Sequence, residues 1–298
     1  MILPDLSELV ALRGCAQGLS LNARQASSAR LQGSHRSAQH GRGLEFEEVR
    51  QYASGDDTRS IDWRVTARRG RPHTKLFREE RERPVWLVAD IHPGLFFGSK
   101  LQLKSALLLR SAAVMSWITV LNGDRLGAII TQGSSTAPLI LAPRSREAGV
   151  LPMLQALVEA QPRQPSAITP GSTRLNDALT TLRSLIKPGS LVLIISDFSQ
   201  LDEAAEASLS TIAMLCDTRL WWITDPLERE GLPAGLYRAG LPDYISWLDG
   251  DTTRVNWQSA WKQREKRLED VSQRLNLPLM HLSTANPVAE TLPALLRG

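Results

Sequence analysis

Short apolar segments alternate with longer segments of helical periodicity from residue 84 to the end of the chain. The two clearest apolar segments are VWLVAD at 85–90 and LVLIISD at 191–197, and each ends in an aspartate. Apolar runs of this length are typical of strands buried on both faces, whereas segments such as 99–121 and 203–217 are long enough to form crossover helices. The alternation predicts an α/β fold with a doubly wound, mostly parallel sheet.

The first 83 residues have a different pattern. Leucines recur at helical spacing over residues 5–15, whereas residues 17–42 are polar and show no hydrophobic period. Residues 43–83 carry dense charges of both signs around a few large apolar side chains. We therefore divide the chain into an N-terminal helix with a basic mobile arm (1–42), a small charged module that contains β-structure (43–83) and the α/β domain (84–298).

The net charge of +4 is concentrated in the first quarter of the chain. Residues 1–83 contain 15 Lys and Arg against 11 Asp and Glu, whereas residues 84–298 contain 20 of each. No acid lies between Arg13 and Arg42, so this arm is either a solvated mobile loop or a binding segment for an acidic surface or nucleic acid. The arginines that would contact nucleic acid are Arg24, Arg30, Arg36 and Arg42.

Several classes of protein are disfavoured by what the sequence lacks. Cys15 and Cys216 are about 200 residues apart, which gives neither a disulfide framework nor a zinc cluster. The longest uncharged apolar stretch in a helical region, residues 111–123, is shorter than the ~20 residues of a membrane span. No Walker A, Rossmann glycine, HExxH or GxSxG motif occurs. We therefore expect a cytoplasmic protein without a membrane span and without the common nucleotide or hydrolase chemistries.

One stretch of the charged module is long and specific enough to indicate a family. Its sequence is GLEFEEVRQYASGDDTRSIDWRVTAR at 43–68, continued by KLFREERE at 75–82. This stretch closely resembles the signature of the bacterial domain of unknown function 58 family. That family couples the signature to a von Willebrand factor type A-like domain of Rossmann-like topology, and the resemblance covers about residues 40–285.

The resemblance also implies partners. Members of the family are commonly encoded beside MoxR-type AAA+ ATPases and other von Willebrand A-like proteins, and many carry a pair of membrane helices ahead of the signature. This chain resembles the short, soluble type. The implied function is a non-enzymatic adaptor that works with a MoxR-type AAA+ ATPase in the assembly or maturation of a protein complex.

The charged module contains the residues that we predict to bind a partner. Acidic side chains and arginines are interspersed along it, so the residues fit either an ion-pair network that stabilises the module or a preorganised docking face. Asp56 and Asp57 are also a weak candidate pair for a divalent metal. The predicted partner-binding residues are Arg50, Asp56, Asp57, Arg59, Asp62, Trp63, Arg64 and Arg68.

The resemblance implies a metal site at the ends of the strands. A von Willebrand A-like domain holds Mg²⁺ with Asp-x-Ser-x-Ser after the first strand, a threonine from a second loop and an aspartate from a third. The corresponding residues of this chain are Asp90, His92, Gly94, Thr173 and Asp197. Because both serines are replaced and Mg²⁺ prefers oxygen ligands, we expect a degenerate site with weak Mg²⁺ binding or none, and no other cofactor.

Other functions for these residues stay open at this point. A metal-assisted hydrolase would use Asp90, His92 and Asp197, although the sequence shows no placed nucleophile beside them. In a purely structural role, the two aspartates would cap loops and helices at the edge of the sheet. Binding of nucleic acid through the basic arm is a third alternative.

Overall fold

The computed structural model divides the chain into two compact units. Unit 1 comprises residues 1–24 and 83–298, and unit 2 comprises residues 25–82. The sequence-based division differs at the N-terminus, since residues 1–24 belong with the α/β domain rather than with a separate segment of residues 1–42. The structure describes residues 3–21, 44–53, 58, 61–79, 82–131, 137–164, 174–241 and 244–297.

Strands and helices alternate along most of the described chain. The strands are β1 (Leu44–Gln51), β2 (His73–Glu79), β3 (Pro84–Ala89), β4 (Arg125–Ile130), β5 (Leu139–Ser145), β6 (Leu191–Ser196), β7 (Asp217–Thr224), β8 (Leu236–Leu241), β9 (Tyr244–Asp249) and β10 (Leu279–Ser283). The helices are α1 (Leu6–Ala11), α2 (Arg13–Ala16), α3 (Trp63–Arg69), α4 (Lys104–Leu121), α5 (Glu147–Ala160), α6 (Arg174–Leu185), α7 (Glu203–Leu215), α8 (Pro226–Glu230), α9 (Gly250–Arg274) and α10 (Val288–Arg297). β8 and β9 form the antiparallel hairpin that the alternation over residues 237–249 predicts.

Within the described residues, six strands of unit 1 form one sheet in the order β10-β7-β6-β3-β4-β5. All neighbours are parallel except the edge strand β5, which runs antiparallel to β4. The prediction of an α/β fold with a mostly parallel sheet is confirmed. The chain leaves β3 first towards β4 and β5 and later returns to β6, so the adjacent ends of β3 and β6 form a topological switch point.

Helices cover both faces of this sheet, because successive strand residues point to opposite faces. Leu87 of β3 packs in a core with α4 and α5, whereas Val88 packs in a second core with α6, α7 and α9. Trp221 and Trp222 of β7 are divided between the two cores in the same way, and both are buried. Each tryptophan therefore packs in the core on its own face of the sheet, as the adjacent positions of the two residues in a strand predict.

α4 is an apolar helix of 18 residues in the first core. Of the described helices, it alone is long and apolar enough by composition to cross a membrane, and 83% of its span is buried inside the protein. The uncharged stretch of residues 111–123 is shorter than a membrane span because Arg110 interrupts the apolar sequence of this helix. The composition of α4 matches that of a core helix that is surrounded by other elements.

The start of the chain packs into the same core. Leu9 of α1 is fully buried, and its carbonyl oxygen accepts a hydrogen bond from Trp117 Nε1 at 3.2 Å. Leu19 and Leu21 are also buried, so the chain is still packed at a point where the polar composition predicts a mobile arm from residue 17. The rest of that arm, with Arg24, Arg30, Arg36 and Arg42, lies outside the described residues.

Unit 2 is built on β1 and β2, which pair antiparallel, with α3 between them in the chain. Asp62 caps the N-terminus of α3, where its carboxylate accepts hydrogen bonds from the backbone N–H groups of Arg64 and Val65. Gly70 ends the helix in the left-handed conformation, with φ of 69°. Thr66 Oγ1 then accepts a hydrogen bond from the His73 N–H at 3.0 Å, which fixes the return of the chain into β2.

Candidate functional site

Polar side chains follow each parallel strand at the carboxyl edge of the unit 1 sheet. The residues that follow these strands in the sheet are Asp90, Thr131, Asp197, Asp225 and Thr284, and all five are buried. Because the carboxyl ends of parallel strands meet at one edge, residues distant in sequence come together there. We call Asp90, His92, Lys104, Asp197 and Glu228 the strand-end cluster.

Asp90 lies at the switch point, where the hydroxyl group of Ser196, the last residue of β6, holds its carboxylate. Ser196 Oγ donates to Asp90 Oδ2 at 2.6 Å and accepts the backbone N–H of Phe198 at 2.8 Å. On the other side, Thr131 Oγ1 accepts the backbone N–H of Ile91 at 2.6 Å and donates to the Ile91 carbonyl oxygen at 2.8 Å. Asp90 and Ile91 together therefore connect the end of β3 to the ends of both neighbouring strands, as a structural cap at the sheet edge would.

His92 bridges the loop after β3 to the loop after β6. Its Nδ1 accepts the backbone N–H of Gly94 at 3.2 Å, and its Nε2 lies 3.2 Å from Asp197 Oδ1. Since Nδ1 is an acceptor, the neutral ring carries its proton on Nε2 and donates it to Asp197. Burial lowers the pKa of His92, but the carboxylates of Asp197 and Asp90 outweigh that effect and raise it above its usual value.

Lys104 is the first residue of α4 and is almost completely buried, with 1% exposure. Its ammonium group donates to Asp197 Oδ2 at 2.7 Å and to Glu228 Oε1 at 2.8 Å. Burial opposes the charge of the ammonium, yet these two carboxylates raise the pKa of Lys104 above its usual value. Burial likewise opposes the charge of Asp197, but Lys104 and His92 hold the pKa of Asp197 well below the usual aspartate range.

Glu228 connects the cluster to the helices on the second face. It lies on α8, where it forms a capping box with Asp225 by accepting that residue's backbone N–H at 3.0 Å. Arg264 of α9 approaches Glu228 Oε1 at 3.8 Å and lies over the ring of Trp261 at 4.8 Å. A series of ion pairs therefore connects Asp197 at the switch point with Arg264 of α9.

Three of the predicted metal-site residues come together. Single ligand atoms of Asp90, His92 and Asp197 lie within 4.8 Å of one another. Gly94 has no side-chain ligand and its backbone N–H is bonded to His92, whereas Thr173 lies outside the described residues. The set does not fit Mg²⁺, because an imidazole replaces an oxygen ligand and a lysine ammonium already binds Asp197.

The predicted partner-binding residues belong to unit 2. Asp62 is the cap of α3, and Arg50 Nη1 donates to the carbonyl of Gln51 at 3.0 Å. Trp63, Arg64 and Arg68 are exposed on α3. Trp63 has 72% of its surface exposed. Asp56, Asp57 and Arg59 lie outside the described residues.

Two residues of the site, Lys104 and Glu228, are not predicted from the sequence. A lysine at the start of an apolar helix and a glutamate in a short charged segment give no local signal that they meet. The third acid at the sheet edge, Asp225, could have been found, because LWWITD at 220–225 repeats the pattern of an apolar run that ends in an aspartate. Its carboxylate accepts hydrogen bonds from Ser99 and Thr284.

The chain is similar in sequence to two curated mycobacterial proteins. Two mycobacterial relatives, Uncharacterized protein Rv1480 of Mycobacterium tuberculosis (strain ATCC 25618 / H37Rv) and Uncharacterized protein Mb1516 of Mycobacterium bovis, are each 32% identical over 187 residues. These matches cover 63% of this chain and 57% of each relative, so the chain spans little more than half the length of the curated relatives it matches.

Solved structures show weaker likeness. The conserved hypothetical protein BatB from Bacteroides thetaiotaomicron gives a TM-score of 0.43 at 15% identity, covering 72% of this chain and 96% of that one. An aerotolerance-related membrane protein from Bacteroides fragilis gives a TM-score of 0.41 at 13% identity, covering 72% of this chain and 98% of that one.

The family of the chain is shown by a sequence profile. The profile described as "Protein of unknown function DUF58" matches residues 48–267. Because this match covers well over half of the chain, the protein belongs to the DUF58 family.

Proposed function

We propose that this protein is a non-enzymatic interaction module, an adaptor that works with a MoxR-type AAA+ ATPase in the assembly or maturation of a protein complex. The observation that supports an interaction role is the exposed surface of α3 and the turn after it. We call Trp63, Arg64, Arg68, Arg69 and Arg71 the basic α3 face. A cytoplasmic location, predicted from the sequence, belongs to the same proposal.

The basic α3 face has the chemistry of a docking surface for an acidic partner. No acid lies between Asp62 and Glu79, and the arginines of this face are exposed. Among the described residues these arginines make no hydrogen bond or ion pair through their side chains, so their guanidinium groups are available to a partner. Arginine binds carboxylates through paired N–H donors, and an exposed tryptophan supplies the apolar contact that anchors many interfaces.

The fold supports the family resemblance on which the partner is based. Numbered by appearance, the strands of the unit 1 sheet follow the order 3-2-1-4-5-6, which is a common doubly wound order. Asp90 and Asp197 follow the two strands at its switch point, as the first and third metal-loop aspartates of a von Willebrand A-like domain would. We therefore propose a von Willebrand A-like domain with a degenerate metal site, for which a MoxR-type ATPase is the first partner to test and other von Willebrand A-like proteins the next.

A metal-assisted hydrolase is the alternative with a specific observation in its favour, namely the convergence of Asp90, His92 and Asp197. The same three side chains are buried, and both ring nitrogens of His92 are engaged. A hydrolytic site needs an approachable metal or general base. Because these side chains are buried and hydrogen-bonded within the protein, their arrangement supports a structural role over catalysis.

The test is direct binding of the full chain to purified MoxR-type ATPase from the same genome, measured by calorimetry. We expect Arg64→Ala combined with Arg68→Ala to weaken binding by about tenfold, since two exposed charge contacts of about 0.7 kcal/mol each are lost. Because both side chains are exposed, the melting temperature should change by no more than about 2 °C.

The matched control removes two exposed cations from α9, Lys262→Ala with Lys266→Ala, and leaves the basic α3 face intact. Equal weakening by both pairs would show that net charge alone matters, which contradicts a specific face. Failure of the wild-type chain to bind any ATPase of this type would contradict the partnership. Tight, steeply salt-dependent binding of nucleic acid by the wild-type chain would replace it with the nucleic-acid alternative.

A further inference from the structure

We propose that Lys104 is the built-in cation of the strand-end cluster, and that removing its charge turns Asp90, His92 and Asp197 into a binding site for a divalent transition metal. The inference does not depend on the proposed function. It assigns to a lysine of the chain the neutralising role that a bound metal ion performs when carboxylates meet at a sheet edge.

The first observation is the number of acids that the cluster must neutralise. Asp90 and Asp197 are buried beside each other at the switch point, and Glu228 lies on the far side of the lysine. A buried carboxylate without a compensating charge is costly, so these acids need a cation beside them, and the ammonium of Lys104 contacts two of the three directly. Asp90 accepts a hydrogen bond from Ser196 Oγ and lies beside His92, so the ammonium acts directly on Asp197 and Glu228.

The second observation is the position of the ammonium group. Lys104 Nζ bridges carboxylates from two separate segments, the loop after β6 and helix α8, at 2.7 and 2.8 Å. A divalent ion at a sheet edge does the same, because it draws oxygen atoms from several loops to one centre. The lysine does so without requiring an ion from solution.

The third observation is that the helix itself disfavours a lysine at this position. Lys104 is the first residue of α4, where the partial positive charge of the helix N-terminus repels a cation. No acid occurs in the first turn of α4 to offset that repulsion. The placement is therefore explained by the carboxylates that Lys104 reaches and not by the stability of α4.

The groups left behind would suit a transition metal better than Mg²⁺. Two carboxylates and one imidazole, with ligand atoms within 4.8 Å of one another, form the mixed oxygen and nitrogen set that Mn²⁺, Co²⁺ and Zn²⁺ accept. Mg²⁺ demands an octahedron of oxygen atoms, which His92 does not provide. In the wild type the ammonium already binds Asp197 Oδ2 and repels a second cation.

The experiment compares the wild type with Lys104→Ala and Lys104→Gln, using Mn²⁺ as the probe. We expect the wild-type melting temperature to be insensitive to both Mn²⁺ and EDTA. In metal-free buffer, Lys104→Ala should melt about 10 °C lower, because it leaves buried carboxylates without a cation. Adding Mn²⁺ should recover at least half of that loss, and the paramagnetic resonance signal of free Mn²⁺ should decrease only with the variants.

Lys104→Gln keeps a hydrogen-bond donor towards Asp197 while it removes the charge, so it serves where Lys104→Ala does not fold. Adding His92→Asn to either variant should weaken Mn²⁺ binding by about tenfold or more, because the imidazole ligand is lost. Lys100→Ala removes an exposed lysine four residues earlier, and it should change neither the melting temperature nor the binding of Mn²⁺.

Three results would overturn the proposal. The first is tight Mn²⁺ or Mg²⁺ binding by the wild type, because it would show that the ammonium does not take the place of the metal. The second is a melting temperature of the lysine variants equal to that of the wild type. The third is a destabilised variant, Lys104→Ala or Lys104→Gln, that binds no more Mn²⁺ than the wild type does.

Discussion

Asp197 accepts hydrogen bonds from His92 Nε2, Lys104 Nζ and the backbone N–H of Ser199, and its carbonyl oxygen accepts the indole N–H of Trp222. The sequence singles out Asp197 because it follows a strong apolar run. Its partners are not predictable in the same way, since the lysine and the histidine precede it by 93 and 105 residues. Only the order of the strands brings them to one place.

The hydroxyl group of Ser196 makes two buried hydrogen bonds at the switch point. Ser196→Ala removes the hydroxyl that donates to Asp90 Oδ2 and accepts the Phe198 N–H, so two buried polar groups lose a partner. We expect the free energy of unfolding to fall by about 2 kcal/mol. Urea unfolding measures this change. Ser199→Ala, at an exposed position nearby, should have almost no effect, and equal values for the two variants would contradict the role given to Ser196.

Single side chains also join whole elements. Glu206 on α7 forms ion pairs with Arg267 and Arg274 on α9, both at 2.9 Å. Periodicity predicts each of these helices separately, because the pattern is local. It does not predict which helices are neighbours on the second face, which depends on the crossover connections. The pairing of α7 with α9 is therefore a finding of the structure.

The ion pairs of Glu206 make the stability of the contact between α7 and α9 depend on pH. Partial burial raises the pKa of Glu206, but hydrogen bonds from Arg274 and Arg267 outweigh it and lower the pKa below its usual 4.5. A lowered folded-state pKa contributes stability above the unfolded value, and this stability disappears as pH falls through the folded value. Glu206→Gln should therefore lower the free energy of unfolding by about 1 kcal/mol at pH 7 and by nothing well below pH 4.

Thermal unfolding between pH 7 and a pH well below 4 measures this pH dependence, with Glu203→Gln as the control. Glu203 occupies the same first turn of α7, is exposed, and has no ion pair among the described contacts. A difference between wild type and Glu206→Gln that persists at low pH would show that the loss arises from packing and not from charge.

Two glycines give opposite predictions for the same substitution in helices. A Cβ atom on Gly149 of α5 would lie 2.5 Å from the backbone oxygen of Arg144, whereas one on Gly14 of α2 would meet nothing within 4 Å. Alanine is favoured over glycine in helices by about 0.5–1 kcal/mol. We expect Gly14→Ala to raise the free energy of unfolding by up to this amount. Gly149→Ala should lower it by about 1–3 kcal/mol, because the overpacked helix moves off the sheet. Chemical denaturation measures both changes, and a stabilised Gly149→Ala variant would contradict the close approach of α5.

The distribution of charge is a property of the whole molecule. The positive excess lies in residues 1–83, whereas residues 84–298 are balanced. Composition predicts this asymmetry without any structure, and hydrophobic patterning predicts the class of the sheet. Neither predicts that Leu19 and Leu21 pack in the core of unit 1, because two leucines in a polar stretch show no period.

This asymmetry predicts how salt affects docking. If the basic α3 face binds an acidic partner, raising the salt from about 0.05 M to about 0.3 M should slow association several-fold and change dissociation much less, since screening acts on long-range attraction. Surface plasmon resonance with the full chain measures both rates. A salt effect confined to dissociation would point to a closely packed ion pair within the interface instead.

The burial of α4 has a consequence for the time during which the chain is synthesised. The helix packs against β3 and β4, and also against β6 and β7, which are made later. Between Leu121 and Thr224 the ribosome adds about 100 residues, which takes roughly 5 to 20 seconds at 5–20 residues per second. For that interval a newly made helix with the composition of a membrane span has part of its surface uncovered. We expect chaperones or the membrane-targeting machinery to compete for this nascent segment until the sheet closes over it.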